Sequence, residues 1–174
     1  MTIREIANAI EEFAPLSLQE DYDNSGLVVG RLDDEVHSAL LAVDVTEEVI
    51  DEAIREGCDI IITHHPIIFA PIKRLNSATY VERCVERAIR HGIALYACHT
   101  NLDSTINGMS WRVGEMLGLR NMEVLQATNA EGAGFGVVGD VEPCPSEEFM
   151  LKVMEPFDVK TLRHSDVVRG EVSR

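Results

Sequence analysis

Between residues 40 and 98, short aliphatic runs of strand length alternate with segments of helical periodicity, and this alternation restricts the possible folds more than any other feature. Leu40–Val43 reads as a strand, and Thr46 can cap a following helix that carries Glu47 and Glu48 in its first turn and stops at Gly57. Ile60-Ile61-Ile62 follows as a buried strand. Ser77 is expected to cap a second helix, with Val81, Cys84, Val85, Ala88 and Ile89 on one face and Gly92 just past its end. Ile93 to Cys98 is the next strand. Strand, helix, strand, helix, strand with connections of this length makes a pair of βαβ units, hence parallel strands joined by right-handed crossovers. The expected class is α/β, a layered α/β/α arrangement around a mainly parallel sheet.

The flanks extend this pattern. Ile3, Ile6, Ala7, Ile10, Phe13 and Ala14 recur at helical spacing behind Thr2 and stop at Pro15, so an amphipathic helix opens the chain. A polar turn from Asp21 to Gly26 leads into a strand at Leu27–Val29. A helix from about Gly108 to Leu117 is expected next, and the glycine-rich stretch Gly132–Gly139 marks a change of composition. Residues 1–125 are therefore read as a first α/β domain and 126–174 as the start of a second, incomplete one. The second is expected to hold a strand near Val137–Val141, a helix capped by Ser146, a strand at Val159–Leu162 and a further strand beginning at Val172.

A chain of 174 residues buries about 70% of its extended surface and needs no disulfide or metal to fold. Thirty acidic side chains against fifteen basic ones give a net charge of −15, which argues against binding the phosphate backbone of nucleic acid. The imbalance is concentrated early: residues 1–60 hold 16 Asp and Glu against 3 Lys and Arg. Such a face keeps a protein in solution and also attracts divalent cations. The longest aliphatic run, Ala39–Val43, is far too short to cross a bilayer, and the first residues lack the basic-then-apolar order of a secretory signal. Cys58, Cys84, Cys98 and Cys144 contain no Cys-x-x-Cys pair, as expected of reduced thiols. A cytoplasmic location is expected.

In parallel α/β sheets ligands collect at the carboxyl ends of strands. Here those ends deliver Asp44, then His64-His65-Pro66, then His99-Thr100-Asn101-Leu102-Asp103. Neighbouring strands lie about 4.8 Å apart, so imidazoles and a carboxylate from adjacent strands come within coordination reach. Imidazole with carboxylate suits zinc, manganese, iron, cobalt or nickel without choosing among them. Adjacent histidines do not readily chelate one ion, and Pro66 holds His65 extended. The arrangement fits one imidazole for each of two divalent ions, with Asp103 on one of them; two such ions activate a water and stabilise a displaced oxygen in metal-assisted hydrolysis. For an isolated His-His-Pro the competing reading is a hydrogen-bonded loop, and with Asp103 on the same edge the two readings stand level. Asp44, which can simply cap the next helix, and His99, which can be a wall residue, are weaker candidates.

Two motif matches are rejected. Asp21–Gly26 resembles the first half of a calcium loop, but Leu32 stands where a bidentate Glu is required. Gly134-Phe135-Gly136-Val137-Val138-Gly139 satisfies G-x-G-x-x-G, yet no strand is expected before it, and Pro143 and Pro145 precede any helix. It reads instead as a glycine-bearing strand. Met109, Trp111 and Met116 read as core.

Tyr22-Asp23-Asn24-Ser25-Gly26-Leu27, Thr63-His64-His65-Pro66, His99-Thr100-Asn101-Leu102-Asp103 and Gly132-Ala133-Gly134-Phe135-Gly136 together resemble, in order and spacing, the Nif-three-like dinuclear metal proteins, often called GTP cyclohydrolase I type 2 homologues. Tyr22 replaces the family's usual Trp. The resemblance covers nearly the whole chain but only about the first two thirds of a typical member. It implies the Nif-three-like fold, a toroidal homo-hexamer, and a metal pair in which His64 and His65 ligate different ions and Asp103 ligates one. The family completes that pair with a C-terminal His followed four residues later by a bridging Glu. Here the residues four beyond each histidine are Leu41, Ile68, Phe69, Leu95, Asp103 and Val168. The chain is accordingly expected to be a fragment or a shortened relative. Two functions follow as expectations: a metal-dependent hydrolase acting on nucleotides, or a non-enzymatic metal-binding protein serving assembly or regulation.

Overall fold

The computed structural model describes residues 1–128, 132–164 and 170–174. The chain divides into two compact units, Met1–Thr105 and Ile106–Arg174.

The first unit contains α1 (Ile3–Phe13), β1 (Gly26–Val29), β2 (Ala39–Ala42), α2 (Glu47–Glu56), β3 (Ile60–Thr63), α3 (Tyr80–Arg90), β4 (Ala94–Ala97) and α4 (Thr100–Ser104). Its sheet runs β1-β4-β3-β2, with β2, β3 and β4 parallel and β1 antiparallel to β4. Two-residue periodicity sorts the strand side chains to opposite faces. Ile61 and Leu95 join Ile50, Ala53, Cys84, Val85 and Ala88 of α2 and α3 in one core cluster. Ile60, Ala94 and Tyr96 join Ile3 and Ala7 of α1 in another. Helices thus cover both faces, the layered α/β/α arrangement that the apolar character of Ile60–Ile62 requires.

Local chemistry explains the element ends. Thr2 and Glu5 make a reciprocal capping box at α1. Thr46 Oγ1 accepts from Val49 N at α2, and Gly57, with φ of 66°, closes that helix in the left-handed conformation that glycine tolerates best. The expected cap of α3 moves from Ser77 to Thr79, whose Oγ1 accepts from Glu82 N. The Glu82 carboxylate accepts from Asn76 N and Ala78 N, and Ser77, with φ of 61°, belongs to the turn before the helix.

The second unit contains α5 (Met109–Met116), β5 (Arg120–Ala127), β6 (Gly134–Asp140), β7 (Cys144–Pro145), α6 (Ser146–Met154) and β8 (Glu171–Val172). It begins earlier than the composition change suggests, because α5 packs on β6. β5 and β6 form an antiparallel pair and β7 pairs with β8. The sequence reading places no strand before the glycine-rich stretch; β5 stands there, and Gly134, Gly136 and Gly139 lie within β6. A Cβ on Gly134 would sit 2.1 Å from the Gln126 carbonyl oxygen, so close backbone approach accounts for that glycine. Ser146 opens α6 as its first residue and not as its cap, its hydroxyl donating to Gly170 O at 2.9 Å. Val159–Leu162 forms no strand among the described residues: Asp158 adopts a left-handed conformation with φ of 48°, and β7 pairs with β8 instead.

Candidate metal centre

Ala42, Thr63 and Ala97 stand opposite one another at the carboxyl ends of the three parallel strands. His65 N donates to Val43 O at 3.0 Å and Cys98 N donates to Thr63 O at 2.8 Å, so the ladder continues just beyond the strands. This register delivers Asp44, His64, His65 and His99 to one edge. α4, which begins directly after His99, returns Asp103 to it, and the distance from His64 Nε2 to Asp103 Oδ1 is 3.8 Å.

The imidazole ring centroids of His64 and His65 lie 4.8 Å apart, and that of His99 lies 5.3 Å from His64 and 5.5 Å from His65. One ring nitrogen from each of the three falls within 4.8 Å of the others. Each Nδ1 faces an acceptor: the Cys98 carbonyl at 2.9 Å for His64, Asp44 Oδ1 at 2.7 Å for His65, and Asp23 Oδ1 at 2.7 Å for His99. A carbonyl or carboxylate accepts only, so each Nδ1 carries a hydrogen, and Nε2 is the nitrogen that would be left to ligate a metal. Holding the distal nitrogen on an acceptor is how proteins orient metal-ligating histidines and raise their basicity. The donor chemistry, three imidazoles and a carboxylate, fits a divalent transition ion.

Asp23 is the most constrained member of this arrangement, with a fully buried side chain. Its carboxylate receives Thr100 N at 3.0 Å, the Thr100 hydroxyl, Ser25 Oγ at 3.2 Å, Asn24 N at 2.7 Å and the His99 ring. Burial pushes its pKa up, but the hydrogen bonds from Thr100, His99 and the Asn24 amide outweigh burial and bring it down to about 2. Asp103 moves the other way. Its burial, aided by the nearby Asp23 charge, raises its pKa against the pull of the histidines. Burial also pushes the Cys98 thiol up to about 11, so this neighbour of His99 stays protonated and its carbonyl alone serves the site.

Of the residues marked by the sequence, His64 and His65 share a cluster of ring nitrogens with His99, and Asp103 lies beside it, 3.8 Å from His64 Nε2. His99 stands fully among them, and Asp44 contacts His65 without capping α2, a role taken by Thr46. Asp23 has no site role in the sequence reading, where Asp21–Gly26 serves as a polar turn, a rejected calcium loop and part of the motif that carries the family resemblance. Its signal was the Tyr22–Leu27 motif itself.

A sequence model of Duf34/NIF3, NGG1p interacting factor 3, matches residues 1–174. The chain belongs to the Duf34/NIF3 family. It is 37% identical over 167 residues to the GTP cyclohydrolase 1 type 2 homolog of Clostridium acetobutylicum, covering 94% of this chain and 62% of that protein. The Streptococcus pneumoniae homolog of the same name is 36% identical over 163 residues, covering 94% and 61%. The chain thus spans about three fifths of the length of these curated relatives. Among solved structures, reduced HcgD from Methanocaldococcus jannaschii is 34% identical with a TM-score of 0.77, covering 89% of this chain and 60% of that one. A Bacillus cereus protein related to NIF3 superposes with a TM-score of 0.91 over 99% of this chain and 74% of that one; at 24% identity it shows the fold alone.

Proposed function

We propose that this Duf34/NIF3 chain carries the metal-holding edge of a metal-dependent hydrolase acting on nucleotides, with His64, His65, His99 and Asp103 as the ligands. The observation that carries this reading is the shared orientation of the histidines, each with Nδ1 on an acceptor and Nε2 free, beside the Asp103 carboxylate. When bound, a divalent ion supplies Lewis-acid polarisation of a carbonyl or phosphoryl oxygen and activation of water. The residues divide the remaining work. Asp23 fixes the ring and tautomer of His99, Asp44 does so for His65, and the Cys98 carbonyl does so for His64. Low-pKa Asp23 stays ionised at neutral pH and keeps that orientation.

The full family site is proposed to be dinuclear. Here the three ring nitrogens lie within 4.8 Å of one another beside Asp103, which supports all four donors on one four-coordinate ion in place of one imidazole for each of two ions, and leaves a second ion short of protein ligands. The names of the relatives support a nucleotide substrate. The non-enzymatic reading, a metal-binding assembly or regulatory protein, is favoured by this short donor set. Free cysteines support a cytoplasmic location, and among the described residues no helix is long and apolar enough to cross a membrane. Exposed Leu41, Val43, Met109 and Leu125 support self-association, which the resemblance places at a hexamer.

A nucleotide panel incubated with the zinc-loaded chain tests the enzyme reading. Turnover abolished both by chelator and by His64→Ala supports the hydrolase, while no turnover from any metal-loaded form favours the binding protein.

A further inference from the structure

Two exposed aromatic rings stand beside the histidine cluster. Tyr22 is 64% exposed and Phe69 is 52% exposed, yet their centroids lie 6.3 Å apart at an interplanar angle of 60°. Phe69 in turn lies 6.2 Å from the His99 ring, nearly perpendicular to it. Large rings placed this openly retain apolar surface in contact with water, although burying them would be favourable.

Their positions are built, since the turn bearing Tyr22 is anchored on both sides. Asp23 ties it to His99 and Thr100, and Asn24 Nδ2 donates to the Ile68 carbonyl at 2.6 Å. That second bond clasps the residue before Phe69 to the residue two after Tyr22. Pro66 and Pro71 restrict the backbone on either side of Phe69. The same short turn therefore orients a metal-ligating imidazole and sets the aromatic pair at its border.

We infer that Tyr22 and Phe69 form a stacking platform for the planar heteroaromatic ring of the molecule whose reactive part meets the histidine edge. This deepens the nucleotide-directed reading and rests on it, naming the ring as the portion recognised. Two rings at 60° form an open corner: a flat ligand lies against one face and meets the other ring at an angle, as aromatic pairs prefer. Stacking on the ring faces does not read an individual base by its donors and acceptors, so the platform selects planar rings as a class. It also suits this protein's charge. With a net charge of −15, the chain gains little attraction for an anionic ligand from its overall field, so contact with an uncharged ring supplies affinity that the field does not.

Calorimetric titration of the zinc-loaded 174-residue chain with guanosine monophosphate and with ribose 5-phosphate, with zinc content measured on every sample, tests this. Guanosine monophosphate should bind the more tightly, and Tyr22→Ala or Phe69→Ala should each weaken it by about tenfold, a loss expected when a stacking ring is removed. Ribose 5-phosphate binding and zinc content should not change, and Tyr22→Trp should restore nucleotide affinity. Equal binding of the two probes, or native nucleotide affinity in both alanine variants, would overturn the platform while leaving the metal reading intact. Self-association that Tyr22→Ala abolishes, seen by sedimentation, would overturn it in favour of a second copy covering the rings. Ring-dependent binding in a chain that retains no zinc would uphold the platform and count against the metal reading alone.

Discussion

Each histidine at the strand edge depends on one distal acceptor, and these acceptors differ in what their removal costs. Asp44 is exposed and touches little besides His65, so Asp44→Ala should leave stability within about 0.5 kcal/mol of native. It should nevertheless weaken metal binding by about 10- to 100-fold, as loss of such a partner does, measured by competition with a chromogenic chelator. Unchanged affinity would mean that His65 is not a ligand. The sequence places His64, His65 and Asp103 at this edge because each follows a recognisable strand by a few residues. Asp23 lies in a recognisable motif, but its contact with His99 spans 76 residues and only tertiary packing reveals it. A different carboxylate gives a pH test away from this edge. Asp59 accepts from His37 N and Ser38 N, and chiefly the His37 amide, against a smaller effect of burial, holds its pKa below the usual carboxylate value. Its contribution is therefore fully present above the unfolded carboxylate pKa and fades as the pH falls through the lower folded value. The stability gap between native protein and Asp59→Asn in urea should close progressively as the pH falls below about 4. A gap that widens below about pH 4 would contradict this linkage.

The βαβαβ segment was readable because hydrophobic period, caps and strand length agree from Leu40 to Cys98, and local preference and tertiary packing point the same way. Where they diverge, the sequence misled. Ser77 is as good a cap by type as Thr79, but Glu82 gathers the Asn76 and Ala78 amides and so fixes the turn that places Thr79 at the helix start. Thr79→Ala should accordingly cost about 1 kcal/mol in urea unfolding, a typical loss for an N-cap. Equal losses from Ser77→Ala and Thr79→Ala would contradict the assignment. β5 escaped notice because its burial is slight: only Met122 and Val124 among its eight residues are even half-buried. Its partner is recognisable only once Gly134 is seen packed against Gln126 and Ala127. Val159–Leu162 has strand-like composition but no ladder among the described residues, because composition does not supply a neighbouring edge.

A net charge of −15 and a set of exposed large apolar side chains impose opposing demands on the molecule as a whole. Repulsion between copies weakens as salt shortens the screening length to about 8 Å near physiological ionic strength, while apolar contact persists. Sedimentation should therefore show self-association increasing with both protein concentration and salt, and a monomer under every condition would contradict association through these surfaces. Binding of a divalent cation reduces the same net charge, linking the histidine edge to the behaviour of the whole chain. The most direct measurement is elemental analysis after zinc loading and exhaustive dialysis, run on the native chain and on His64→Ala, His65→Ala and His99→Ala. About one firmly held ion per chain is expected from four ligands, with its loss in each variant while circular dichroism remains native. No retained zinc in the native chain, or zinc retained equally in the variants, would contradict a metal centre at this edge.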